Sequence, residues 1–240
     1  MCEKKYKLDE TDIVHCDGKK LYRIIALVDI RGSTEAGERG GYVESEENLS
    51  HHGKSWVSNN AKVYGNARIS DNAHVTGDAC ICDNAHVSGN AYVSGRACIC
   101  NNARVSGRAY VLGEAWIFNS AVVCGRACVS GKANVFGNAK VSGDAHVCGC
   151  VKIYENANIE KGEHYFSAQQ LGERGRTITF FRQKDKSWCV SCGSFTGTIQ
   201  QFCDCVREKY GDSLIAQEYM TIVDLIELRI KRVTEQETKQ

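Results

Sequence analysis

The cysteines carry the most chemical capacity in this chain, and they recur. Residues 79–100 read ACICDNAHVSGNAYVSGRACIC, so Cys80-Ile81-Cys82 returns as Cys98-Ile99-Cys100 after eighteen residues. Paired thiols serve as metal ligands, disulfides or redox centres. A second set lies further on. Cys189-Val190-Ser191-Cys192 follows Trp188, and Cys203 and Cys205 come soon after. The first of these pairs has the outline of a redox W-C-x-x-C, but that chemistry needs its first cysteine at a helix N-terminus. Here the pair is expected on a strand. All four together form C-x2-C…C-x-C, an unusual arrangement for a four-thiolate zinc site. Histidine is the other reactive type, and His74, His86 and His146 share the region of the triplets.

What positions these groups is a repeat. From Ala61, alanine recurs every sixth residue through Ala145 and again at Ala157, with Val151 the one interruption. Two residues after each stands Val or Ile. Two further on, from Gly65 through Gly149, every residue is Gly, Asn or Asp. Alternation of A-x-V puts small and β-branched side chains on one face of a short strand. The next position takes residues that tolerate positive φ, so the chain turns there. A helix would need a 3.6-residue period and would not carry so many glycines.

A longer period sets the shape. Asp83, Asn101 and Asn119 replace Gly, and Ile81, Ile99 and Ile117 replace Val, both at eighteen-residue spacing. Eighteen is three hexads, so the coil has three sides, and equivalent positions stack at one strand spacing of ~4.8 Å. The fold class is therefore mainly β: a three-sided parallel β-helix over 55–161, of roughly six coils. An N-terminal β cap over 1–54 and a small C-terminal α+β module over 162–240 complete the chain.

The three sides differ in outward residues. The first carries Lys62 and Tyr64, Cys80 and Cys82, Cys98 and Cys100, Trp116 and Phe118, then Phe136 and Tyr154. It is too apolar for an ordinary exposed surface and marks a contact, either with other subunits or with the C-terminal segment of the same chain. The second side, with Arg68, His86, Arg104 and Lys140, is solvated. The third carries His74, Tyr92, Tyr110 and His146, with Arg108 and Arg126 at the corner before it. These residues could bind a planar or anionic ligand, although the plainer reading is a solvated face with some aromatic packing.

Within this lattice Cys80 lies over Cys98 and Cys82 over Cys100, a spacing that permits a disulfide. Within each triplet the Cα atoms are ~6.6–7 Å apart. Four sulfurs so spread converge poorly on a zinc ion with ~2.3 Å bonds, so no metal site is expected, and the thiols read as small apolar members of the contact strip.

The repeat resembles the left-handed parallel β-helix of hexapeptide-repeat proteins, over nearly half the chain; the handedness comes from that resemblance. The segment GGYVESEENLS and the tail RTITFFRQKDKSWCVSCGSFTG resemble uncharacterised hexapeptide-repeat proteins of bacteria and their phages, often labelled transferases from fold alone. The resemblance implies a homotrimer. Three functions then stand open. The first is a non-enzymatic binder in host interaction or counter-defence, sequestering a small anionic, nucleotide-like molecule. The second is an acyltransferase using acyl-CoA with His74 or His146 as base. The third is a structural scaffold. No loop excursion breaks the hexads from 61 to 149, where such enzymes often build substrate selectivity. No cofactor is expected beyond acyl-CoA in the second case.

Composition and the ends bound the rest. The 240 residues carry a formal charge of +1 with no long basic run, so wholesale phosphate-backbone binding is not indicated. No apolar run reaches the ~18 residues of a membrane span. The opening MCEKKYKLDE has no apolar signal core. Fourteen cysteines are then expected as reduced thiols in a cytoplasmic protein. Asp17-Gly18 predicts a hairpin turn, and Gly37, Gly40 and Gly41 belong to the cap rather than to a phosphate loop. Residues 177–192 predict a hairpin, Thr198 with Gln201 a capping box, and 213–233 an amphipathic helix.

Overall fold

A computed structural model describes residues 4–30 and 34–238. Each six-residue unit forms a two-residue strand, from Lys62–Val63 to Asn158–Ile159, and the strands stack into three parallel sheets. Register is eighteen residues throughout the repeat: Cys98 pairs with Cys80, Tyr110 with Tyr92, and Val123 with Val105. The solenoid has about seven turns. Its interior is one continuous column of the repeat's alanines and Val or Ile residues, each essentially without exposure. Alanine occupies the tight position and the β-branched residue fills the space beside it.

The corners obey the turn chemistry. Asp83, Asn101 and Asn119 have φ of 59°, 56° and 57°. Glu155 also turns with φ 55°, a position the Gly/Asn/Asp pattern does not announce. Gly107 shows why glycine dominates. Its φ is +72°, and a Cβ there would lie 2.8 Å from the carbonyl oxygen of Gly125 one coil on. Amide side chains ladder along the corners, as in Asn66 to Asn84 at 3.0 Å and Asn84 to Asn102 at 3.2 Å.

Parallel pairing begins before residue 55. Strand β3 (Arg39–Val43) aligns Tyr42 with Lys62 and Val43 with Val63, and Leu49 bridges to Ile69. Gly41 takes the alanine position; a Cβ there would meet the Ala61 carbonyl oxygen at 2.6 Å. Eight residues separate Leu49 from Val57 instead of six, which hides this first turn from the period.

The N-terminal hairpin joins β1 (Tyr6–Cys16) to β2 (Lys19–Ala26) through Asp17 and Gly18, both at positive φ. Strand β2 pairs antiparallel with β3, so the hairpin continues the first face of the solenoid and covers that open edge. Tyr6 packs edge-on against Trp56, and its hydroxyl donates to the Leu49 carbonyl at 2.9 Å. At the other end an antiparallel sheet runs Tyr165–Leu171, Arg176–Arg182, Trp188–Cys192 and Phe195–Thr198. Phe181 and Cys189 close the solenoid core from that side.

Helix α1 (Ile199–Tyr210) opens on the reciprocal Thr198–Gln201 capping box. Helix α2 (Leu214–Thr238) buries Ala216, Tyr219, Val223, Ile226 and Val233. Leu214 and Leu225, which share the apolar spacing of this helix, stay exposed at 81% and 45%. The helix therefore covers a narrower face than the spacing implied. No helix among the described residues is long and apolar enough to cross a membrane.

Candidate functional site

The third face brings several of the candidate ligand residues onto one ladder. His74 pairs with Tyr92 and Tyr92 with Tyr110, so the three side chains project from successive rungs. Ring centroids are 5.7 Å apart for His74 and Tyr92, and 6.0 Å for Tyr92 and Tyr110. The tyrosines are exposed, and the outward ring surfaces form a short platform. Arg108 lies exposed at the corner that leads into the Tyr110 strand. The rings are tilted by about 50° to one another and stand one rung apart, so they form no parallel-sided slot.

His74 is the half-buried end of this platform. Burial alone moves its pKa below the ordinary 6.5, so the ring is neutral at neutral pH. Its Nε2 is 2.9 Å from Ser58 Oγ. Arg126 lies away from the platform, one coil beyond Arg108, with Nε 3.4 Å from Asp144 Oδ1. His146 sits at the far end of the ladder, exposed, with Cys128 between it and Tyr110. The structure thus brings His74, Tyr92 and Tyr110 together, sets Arg108 at the adjoining corner, and leaves Arg126 and His146 apart. Ser58 stands eighteen residues before Thr76, so the period pairs it with Thr76 and not with His74.

The apolar first face is covered from a direction that the sequence did not suggest. The hairpin tip folds over its first rungs, so Leu21, Tyr42, Tyr64 and Cys82 form a small core with Val14, Cys16, Cys80 and Cys100 packed on it. The Tyr64 hydroxyl donates to Asp17 Oδ2 at 2.6 Å. Further along, Phe118, Phe136 and Tyr154 stack at 4.8 and 4.7 Å, and Tyr154 meets Phe181 of the C-terminal sheet at 5.5 Å. Trp116 remains open at 53% exposure.

The four thiols of the two triplets are mutual neighbours. Each interacts with two others, in the circuit Cys80, Cys82, Cys100, Cys98. Contacts from the Cys82 and Cys98 thiols hold Cys80 and Cys100 below the ordinary thiol range. The donors of those contacts, Cys82 and Cys98, are pushed up in turn. The ligand atoms of Cys82, Asp83 and Cys100 all lie within 4.8 Å of one another, the one such cluster among the described residues. Cys80 and Cys98 stand outside this cluster, so the four sulfurs of the triplets do not meet at one point.

The later cysteines make no comparable set. Cys189 and Cys192 are buried on the strand Trp188–Cys192, and burial pushes both thiols up, the reverse of a redox-active pair. Cys203 is buried on α1 while Cys205 is exposed.

A separate polar knot ties the C-terminal helix to the solenoid end. Arg182 forks onto Glu237, with Nη2 to Oε2 at 2.7 Å. His164 Nδ1 accepts the Glu160 backbone N–H at 3.3 Å, and its Nε2 faces Glu237 at 3.6 Å. Burial, then the Arg182 charge, lowers the His164 pKa.

Residues 61–77 match a family model described as the YdcK beta solenoid repeat. No curated protein matches the chain. The match and the stacked parallel ladders agree on a β-solenoid.

Proposed function

We propose that the protein is a non-enzymatic binder of a small, planar, anionic molecule of nucleotide type, held on the third face of the solenoid. The observation that carries this reading is the His74–Tyr92–Tyr110 platform, with both tyrosines exposed and Arg108 at the adjoining corner. Aromatic rings at successive rungs give a nucleobase its stacking surface, worth about 1–3 kcal/mol per base. The guanidinium of Arg108 supplies a charge partner for phosphate. The site is open, which suits retention of a ligand more than chemistry that must exclude water. Sequestration of such a molecule is the host-interaction or counter-defence role that the resemblance to phage-borne repeat proteins implies.

A homotrimer is part of this proposal. Tyr110, Trp116 and Phe118 lie around one edge of a single coil, and a trimer contact there would cover Trp116 beside the platform. Light scattering on purified protein should give three chains per particle.

One contact favours acyl transfer from acyl-CoA as the second reading, within the hexapeptide-repeat relationship and its left-handed winding. Ser58 Oγ and a neutral His74 are hydrogen-bonded at 2.9 Å, a base and hydroxyl in reach of each other. Calorimetric titration with a nucleotide panel, followed by product analysis, separates the two. Binding without product, weakened in Tyr92→Ala and Tyr110→Ala, supports the binder. Acetyl-CoA turnover abolished in His74→Ala, with no nucleotide bound, replaces it with the enzyme.

A further inference from the structure

We propose that Cys82, Asp83 and Cys100, with Cys80 and Cys98 beside them, form a binding site for one soft d10 cation of the zinc and cadmium type. The site lies on the first face and is independent of the aromatic platform.

The geometry is near what such an ion requires. Around a tetrahedral ion with sulfur bonds of ~2.3 Å, ligand atoms stand roughly 3.8 Å apart. The three donor atoms already lie within 4.8 Å of one another, so closure asks for small side-chain rotations and no backbone movement. A d10 ion has no geometric preference of its own and accepts what the lattice offers. Cys80 and Cys98 are direct ladder partners, and their thiols interact with those of Cys82 and Cys100. Cys80 and Cys98 lie outside the 4.8 Å cluster, so three protein ligands hold the ion and water takes the fourth position.

Asp83 is the residue that distinguishes this set from a patch of small apolar side chains. It stands at the corner after Cys82 with φ 59°. Its Oδ2 accepts both the backbone N–H and the side-chain amide of Asn101, at 2.9 and 2.8 Å. Those bonds hold the carboxylate in place and leave Oδ1 for a cation, the outer-shell support that metal sites use.

The surroundings complete the site. Val14, Cys16 and Leu21 of the hairpin pack over the sulfurs, and Cys82 is only 9% exposed. Asp83 itself lines an open polar groove with Lys19, Asn84, Asn101 and Asn102, so its carboxylate is reached from solvent. The rungs on either side replace the thiols with Tyr64 and Trp116, so the sulfur set is confined to two coils.

The test is a titration of the full chain, stripped by chelator and kept reduced by a phosphine. Cadmium(II) should produce sulfur-to-metal charge-transfer absorption that saturates at one equivalent, and zinc(II) should compete it away. Cys82→Ser with Cys100→Ser should abolish that band, and Asp83→Asn should weaken binding roughly 10–100-fold. Cys124→Ser and Cys148→Ser should leave it unchanged. A band absent at one equivalent, or undiminished in the double variant, would overturn the proposal. If the double variant fails to fold, wild-type protein decides through thiol alkylation read by mass spectrometry. Zinc(II) should protect Cys82 and Cys100 while Cys148 and Cys150 stay reactive. Equal labelling of all four with and without zinc(II) refutes the site.

Discussion

His74 and His146 stand on one ladder four rungs apart, joined through Tyr92, Tyr110 and Cys128. At ~4.8 Å per rung that is roughly 19 Å. No small ligand touches both within one chain, so the two candidate bases divide: His74 belongs to the aromatic platform and His146 does not. His74→Ala is therefore expected to weaken nucleotide binding by on the order of tenfold, the lower end of a lost stacking contact. His146→Ala should bind as wild type does. Calorimetry on the two variants checks this, and equal losses would remove the platform from the site.

The corner glycines predict an asymmetry in stability. Gly107→Ala adds a strained left-handed alanine and a Cβ 2.8 Å from the Gly125 carbonyl oxygen. The expected loss is about 2–4 kcal/mol. Asn101→Gly keeps the corner conformation, since Asn101 already has φ 56°, and gives up only a few polar contacts. Its expected loss is about 1 kcal/mol. Urea midpoints of the two variants should fall in that order.

Docking of the C-terminal sheet rests on Phe181, which is fully buried between Tyr154 and the end of the solenoid core. Phe181→Ala should cost about 3–5 kcal/mol. The loss should appear locally first. Hydrogen exchange is expected to rise across the strands from Tyr165 to Thr198 while the central rungs stay protected. Uniform exchange across the solenoid would contradict this.

Acid sensitivity should trace in part to His164. Its folded pKa lies below the usual 6.5, through burial and then Arg182. The unfolded chain therefore binds a proton that the folded chain resists. Its contribution is fully present above about pH 6.5, falls as pH drops toward the folded pKa, and levels off below it. Glu237, Glu160 and Glu163 face the same ring and oppose the shift, but less strongly. His164→Gln should flatten the slope of stability between about pH 7 and pH 5. Chemical denaturation at those two values measures it, and an unchanged slope would assign the sensitivity elsewhere, His74 being the next group to test.

Periodicity carried most of the architecture. Alanine and Val or Ile at six-residue spacing, turning at Gly, Asn or Asp, leave no other way to bury one face, and the eighteen-residue substitutions reveal three sides. The His74–Tyr92–Tyr110 ladder followed from the same arithmetic, because parallel stacking in constant register makes residues eighteen apart neighbours. Where spacing breaks, legibility ends. The first turn was hidden by two extra residues between Leu49 and Val57 and by glycine at position 41, where no Cβ fits.

The opening triplets show the division most clearly. That Cys80 lies over Cys98 and Cys82 over Cys100 was determined by sequence alone, since local backbone geometry repeats along the chain. That an Asp83 oxygen stands within 4.8 Å of the Cys82 and Cys100 sulfurs, and that the N-terminal hairpin covers Cys82, was decided only by tertiary structure. Side-chain rotation and the return of a distant hairpin are set by packing between segments far apart in the chain, and a repeat period does not encode either.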